Sequence, residues 1–230
     1  MPQRKDSLYE QLNPLTTIAG QHFVEYFSGD TLDNFRWGKD TNDGTYAMSD
    51  SVDGGVVLTT GSGIYASACI GLVADTTSGS PTMINCFDSQ GAVIQFIEQW
   101  GTGAGGINAS THGFHSERRG DNAGNNGCAL NTSLWSTNYR LRTCNSSGSQ
   151  TDSDSGISAV GGSGIATNKN FFRVEIQPTF ASLGINGVLT NSHTTNLPSG
   201  GLAPCFGIQN HSNNGASILH VIYCEAWNTA

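Results

Sequence analysis

The sequence predicts an all-β domain, a sandwich of many short antiparallel strands. Three observations predict it. The 230 residues include 30 Gly, with 25 Ser, 22 Thr and 20 Asn, residues that fill turns and support helices poorly. Apolar residues recur at period two in short runs bounded by Gly, Ser or Asp, the pattern of half-buried strands. Ten Phe, six Tyr and four Trp are spread along the chain, which separates it from a disordered chain of similar polarity. A chain of this length buries roughly 70% of its unfolded surface and supports a core without metal or disulfide staples.

Residues 1–20 stand apart as an arm: a charged start, then Ser7-Leu8-Tyr9-Glu10-Gln11-Leu12, Asn13-Pro14 and a short run to Gly20. Such a segment buries little of itself, so it is either frayed or docked on something else. The domain proper spans 21–230. Its first strand alternates Phe23, Glu25 and Phe27 with Val24 and Tyr26 and stops at Ser28-Gly29-Asp30. Val56 to Thr59, Tyr65 to Val73, Met83 to Asp88 and Ala92 to Trp100 are further β-rich runs. The Gly- and Asn-rich stretch from Gly101 to Gly127 reads as a long loop or insertion, Leu134 to Thr143 as a strand, and Ser146 to Gly164 as a second polar connection. From Phe171 to Gln177 strict alternation marks a half-buried strand. Asn186-Gly187 between Leu183-Gly184-Ile185 and Val188-Leu189 reads as a hairpin with a type I′ turn. The last strand, Ser217 to Trp227, places Ile218, His220, Ile222, Cys224 and Ala226 on one face; both faces are largely apolar, so it is central. Its pairing with the first strand is expected.

Charge and apolar runs narrow the function. The net charge is −8 and the longest cationic cluster is Arg118-Arg119, which disfavours a nucleic-acid binder. No apolar run approaches the roughly 18 residues of a membrane span, and Met1-Pro2-Gln3-Arg4-Lys5-Asp6 lacks the apolar stretch of a secretory signal, so no membrane partner and no export signal are expected. Six cysteines, Cys69, Cys86, Cys128, Cys144, Cys205 and Cys224, are far apart, with no zinc spacing. Fifteen pairings are open to them; in the absence of a signal they read as buried reduced thiols.

Taken in order, Phe23-Val24-Glu25-Tyr26-Phe27-Ser28-Gly29-Asp30-Thr31-Leu32, Arg36-Trp37 and Met48-Ser49-Asp50-Ser51-Val52-Asp53-Gly54-Gly55 resemble the opening of concanavalin A-like (laminin G-like) jelly-roll domains of bacteriophage virion proteins. Tyr139-Arg140-Leu141-Arg142-Thr143, Phe172-Arg173-Val174-Glu175-Ile176, Gly184-Ile185-Asn186-Gly187-Val188-Leu189, Thr195-Asn196-Leu197-Pro198 and Tyr223-Cys224-Glu225-Ala226-Trp227-Asn228 follow in the family's order. The resemblance implies a two-sheet antiparallel jelly-roll sandwich with a short N-terminal arm. It also implies a non-enzymatic structural protein, made in the host cytoplasm and carried on the virion. The arm favours capsid decoration: a cement protein bound to the major capsid protein at the capsid surface, as a homotrimer. The alternative is a fibre or tail adhesin binding host surface glycans.

Candidate chemistry is sparse. The decoration reading assigns Arg4, Lys5, Tyr9 and Leu12 to capsid binding; the adhesin reading assigns Trp100, Trp135 and Tyr139 to sugar stacking, with core packing as their alternative role. Glycosidic chemistry needs two carboxylates across the scissile bond, and Glu98, Glu175 and Glu225 each stand alone as rim or surface carboxylates. Gly101-Thr102-Gly103-Ala104-Gly105-Gly106 matches GxGxxG without a following helix. His112 and His115 read as solvated loop residues, and Ser163 has no GxSxG frame. Asp30, Asp33, Asp40, Asp43, Asp50 and Asp53 offer the hard oxygens that Ca²⁺ takes, but no EF-type loop exists and Asx turns account for them. No cofactor and no metal are expected.

Overall fold

A computed structural model describes residues 22–32, 37–50, 53–72, 87–102, 109–116, 126–133, 136–159, 164–165, 169–210 and 216–229. Their regular structure is all strand, seventeen in chain order. The first half holds β1 (His22–Glu25), β2 (Trp37–Asn42), β3 (Thr45–Met48), β4 (Val56–Thr59), β5 (Ser67–Leu72), β6 (Phe87–Asp88), β7 (Ala92–Thr102), β8 (Ala109–His115) and β9 (Gly127–Ser133). The second holds β10 (Ser136–Cys144), β11 (Gln150–Ser158), β12 (Gly164–Ile165), β13 (Asn170–Ile176), β14 (Ala181–Ile185), β15 (Val188–His193), β16 (Gly201–Gln209) and β17 (Ser217–Asn228).

Two sheets result. A nine-stranded sheet runs β15-β14-β13-β7-β17-β4-β3, with β1 beside β17 and β12 beside β7; an eight-stranded sheet runs β11-β10-β9-β8-β16-β5-β2, with β6 beside β16. The described ladders are antiparallel. This is the expected two-sheet sandwich, and the first and last strands pair, His22 opposite Trp227 and Glu25 opposite Cys224. The Asn186-Gly187 turn has φ of 51° and 84°, the positive pair a type I′ hairpin requires.

Three expectations are corrected. The stretch from Gly101 to Gly127 is not one long loop, because β7 runs into it and β8 lies inside it. The glycine that suggested flexibility there marks a close approach: Gly113 has φ +148°, and a Cβ on it would sit 2.7 Å from the Cys128 carbonyl oxygen. The polar segment after Ser146 contains β11, an edge strand held to β10 by charge, with Arg140 Nε 2.7 Å and Arg142 Nη2 2.5 Å from the Asp152 carboxylate. In β17 a bulge between Val221 and Tyr223 shifts the register against β7. Leu219, Val221, Cys224 and Ala226 are therefore buried together, while Ile218, His220 and Ile222 are half-buried. An extra residue in one strand reverses the alternation beyond it.

The core lies between the sheets. Phe206 is at its centre, with ring centroids 5.3 Å from Phe96 and 6.2 Å from Trp37. Into this apolar layer the fold places a carboxyl–imidazole pair: Glu98 of β7 and His112 of β8, from opposite sheets, approach to 2.7 Å with both side chains fully buried. His112 is ringed by Trp100, Phe206 and Phe96 at 5.7, 6.3 and 6.4 Å. Glu98 is thus no rim carboxylate and His112 no solvated loop residue. His115 is also buried.

At one edge the sheets are tied through His193. Its Nδ1 lies 3.0 Å from Thr143 Oγ1, which donates to the Thr195 carbonyl, and its Nε2 lies 2.7 Å from Ser153 Oγ. With the Thr143 hydroxyl committed to that carbonyl, Nδ1–H donates; in the neutral ring Nε2 then accepts from Ser153 Oγ, which itself accepts from Asn191 Nδ2. Burial pushes the His193 pKa below 6.5, against an opposing pull from Asp152. A histidine with a lowered folded pKa contributes stability that is present above the unfolded value and is lost as pH falls through the folded one. The stability difference between wild type and His193→Gln should therefore shrink as pH is lowered below 6.5; denaturant titrations at a series of pH values measure it, and a constant difference would refute the role.

Candidate functional site

The site begins with a change of partner along β17. Residues 218–221 pair with β4, residues 224–227 pair with β1, and the bulge falls between the two. Ile222 and Tyr223 sit at this break. On the facing side, two residues beyond the end of β1, Phe27 has φ +45°. Bulky residues rarely adopt that conformation, and it persists only where surroundings enforce it. Here Glu25 enforces it: its carboxylate accepts from the Phe27 backbone N–H at 3.0 Å and from Trp37 Nε1 at 3.3 Å. Phe27 is thereby turned into the core against Trp37, at 5.1 Å, and Tyr26 stays outside with 63% of its surface exposed.

Tyr26 and Tyr223 come together with ring centroids 5.3 Å apart and planes tilted by 49°. They line an open cleft of about 730 Å³ together with Asp30, Asp50, Asp53, Ile97 and Ile222. Gly54, also in the lining, and its neighbour Gly55 have φ of +64° and +103°, and His220 Nε2 donates to the Gly54 carbonyl at 2.8 Å. Asp53 is matched by Lys169 Nζ at 2.5 Å.

Beneath the tyrosines a polar chain fixes the ring of Tyr223. Its hydroxyl donates to Glu225 Oε2 at 2.5 Å, and His22 Nε2 lies 2.7 Å from Oε1. Partial burial, then the bond to Glu225, raises the Tyr223 pKa, so the phenol is neutral across the physiological range. Burial also pushes Glu225 up, but hydrogen bonds from Tyr223 and His22 outweigh it and hold the carboxyl below its usual range. Chemically, the cleft offers two aromatic faces with carboxylate acceptors around them and a size within the range of small-molecule sites.

Of the candidates named for glycan or capsid contact, the described ones, Trp100 and Tyr139, lie outside this cleft. Trp100 and Tyr139 are 2% and 1% exposed and belong to the core: Trp100 packs on His112, and Tyr139 lies edge-on to Phe172 at 4.9 Å. Neither presents a ring face for stacking a sugar. Trp135, Arg4, Lys5, Tyr9 and Leu12 lie outside the described residues, as does Asp33. Asp30, Asp50 and Asp53, considered as oxygen ligands, line the cleft, but among the described residues no group of three or more His, Cys, Asp or Glu is placed to hold a metal ion. Glu175 is engaged by Arg173 Nη2 at 3.0 Å and Gln177 Nε2 at 3.1 Å. Sequence reasoning missed Tyr26 and Tyr223 as a pair, because they come from opposite ends of the domain and meet only through the β1–β17 ladder.

The chain matches no family model and no curated protein. Its fold is shared with solved structures. The Emp47p carbohydrate recognition domain superposes with a TM-score of 0.57 at 11% identity, over 91% of this chain and 95% of that one. A GlcNAcα1-4Gal-releasing endo-β-galactosidase from Clostridium perfringens gives 0.64 at 14% identity, over 94% of this chain and 64% of that one. A Bacillus licheniformis β-glucanase gives 0.59 at 14% identity, over 93% and 100%. At these identities the likeness establishes the concanavalin A-like jelly-roll fold.

Proposed function

We propose that the chain is a non-enzymatic surface protein of a phage virion that holds carbohydrate in the cleft between Tyr26 and Tyr223. The observation that carries this reading is the cleft itself: paired tyrosine rings, one largely exposed, with three aspartates around an open concavity. Sugars present C–H faces to aromatic rings and hydroxyl donors to carboxylates, so the two kinds of group suit one ligand. The shared fold, which also serves a carbohydrate recognition domain and glycan-cleaving enzymes, supports it. The non-enzymatic part rests on where the strand glutamates are: Glu98 is sealed against His112, Glu175 is held by Arg173, and Glu225 is committed to Tyr223 and His22.

The test is a screen of oligosaccharides followed by calorimetry on the best ligand. Tyr26→Ala and Tyr223→Ala should each weaken binding about tenfold or more, as loss of about 1.4 kcal/mol requires, without release of reducing ends. Unchanged affinity in both variants would remove the site, and product formation would make the protein an enzyme.

A second reading, decoration and stabilisation of a capsid by a homotrimer bound to the major capsid protein, is favoured by the residue-level resemblance over 21–230. An apolar knob at the β14–β15 hairpin also favours it, where Val188 and Leu189 are 63% and 69% exposed and suited to burial against a partner. Copy number and position on purified particles separate the two. Hundreds of copies over the shell indicate decoration; a few at the tail indicate an adhesin.

A further inference from the structure

In the eight-stranded sheet, β5 and β16 pair so that Cys205 lies opposite Gly71 and Gly207 opposite Cys69. Each cysteine therefore faces a residue without a side chain. The two thiols fill the space diagonally, and their sulfurs approach to 3.4 Å. Both are buried, Cys69 at 2% exposure and Cys205 at 0%. A disulfide needs its sulfurs at about 2.05 Å; diagonal neighbours on paired strands stand about 7–8 Å apart, so closure takes χ1 rotation together with a small approach of β5 to β16, and the glycines leave the space for it.

We propose that Cys69 and Cys205 are a latent disulfide, which closes when the protein meets a low-molecular-weight disulfide oxidant. One cysteine thiolate attacks a sulfur of the oxidant, forming a mixed disulfide and expelling one small thiolate. The second cysteine thiolate then attacks the protein-bound sulfur, forming the S–S bond and expelling the other small thiolate. Two S–H bonds are lost from the protein, their protons pass to the two released thiolates, and two electrons reduce the oxidant to two thiols. Burial makes the reaction depend on local opening. Here β5 has only β2 between it and the sheet edge, so the opening required is of two strands, not of the whole domain.

The other described cysteines are differently placed. Cys224 is in the nine-stranded sheet, and Cys128 and Cys144 are on β9 and β10. Burial raises the thiol pKa of Cys128 and of Cys224, which lowers their thiolate fraction. Closure would tie β5 to β16 across most of the chain and restrict the unfolded ensemble, a stabilisation acquired on passing from a reducing cell interior to an oxidising medium.

The experiment incubates the full-length folded protein with oxidised glutathione, blocks remaining thiols by alkylation and maps peptides by mass spectrometry. The expected result is one cross-link joining the Cys69 and Cys205 peptides, a loss of two titratable thiols per chain and a rise in melting temperature of about 5–10 °C. Dithiothreitol should reverse all three. Cys69→Ala and Cys205→Ala should each abolish the cross-link and the rise; Cys144→Ala should keep both. A stable glutathione adduct without a cross-link, a cross-link between other cysteines, or an undiminished thiol count after incubation in sub-denaturing urea would each overturn the proposal.

Discussion

Glu98→Ala is expected to lower the stability of the sandwich by about 3–5 kcal/mol, the range for removing one member of a buried acid–base pair and leaving the other in the core. The Glu98 carboxyl and the His112 imidazole meet from opposite sheets with no exposure, and no oxygen of Glu98 and no ring nitrogen of His112 makes a well-aligned hydrogen bond among the described residues. Removing the acid leaves the imidazole in an aromatic cage without the polar group that faces it, and leaves a cavity as well. Paired replacement by apolar residues, Glu98→Leu with His112→Phe, should recover much of the loss, because such pairs seldom outperform packing of equal volume. A double-mutant cycle in urea measures both. A single-variant cost below about 1 kcal/mol would mean that the pair is a bystander.

Gly55→Ala is the second large effect. Its φ of +103° is strained for any residue with a side chain, and an added Cβ would overlap the His220 imidazole and lie 2.8 Å from the Val221 carbonyl oxygen. Together these should cost about 2–4 kcal/mol. The damage should also reach the cleft, since His220 holds the Gly54 carbonyl and Gly54 is in the lining. Thermal unfolding reads the first consequence and oligosaccharide affinity the second. Wild-type values for both would show that the loop accepts a side chain by moving aside.

Local signals in the sequence were reliable. Asn186-Gly187 dictates its own turn, and strict alternation from Phe171 to Gln177 dictates a half-buried strand, because each depends on neighbours in the chain. What failed depends on distant partners. His112, His115 and Glu98 are polar residues, the histidines in Gly-rich surroundings, and sequence alone places such residues in solvent; the burial of His112 and Glu98 follows from two sheets that each supply the other's partner and the aromatic walls around it. The bulge in β17 leaves no local mark, yet it reverses the alternation from Tyr223 on and brings that ring to the surface. Trp100 and Tyr139 show the converse, large aromatics beside Gly- and Ser-rich stretches that go to the core because the strands carrying them do. The cleft was illegible for the same reason, since its two tyrosines are joined by topology alone.

The β1–β17 ladder also sets how the domain bears load. His22 and Trp227 face each other at the end of the ladder nearest both termini, so tension applied through the two ends peels the pairs one after another and never shears them all at once. Such a zipper yields at low force. Pulling would free β1 first and carry Tyr26 away from Tyr223, which opens the cleft while the rest of the sandwich is still folded. A ligand gripping both rings would then work as a mechanical clasp, and the domain would resist traction best when its site is filled.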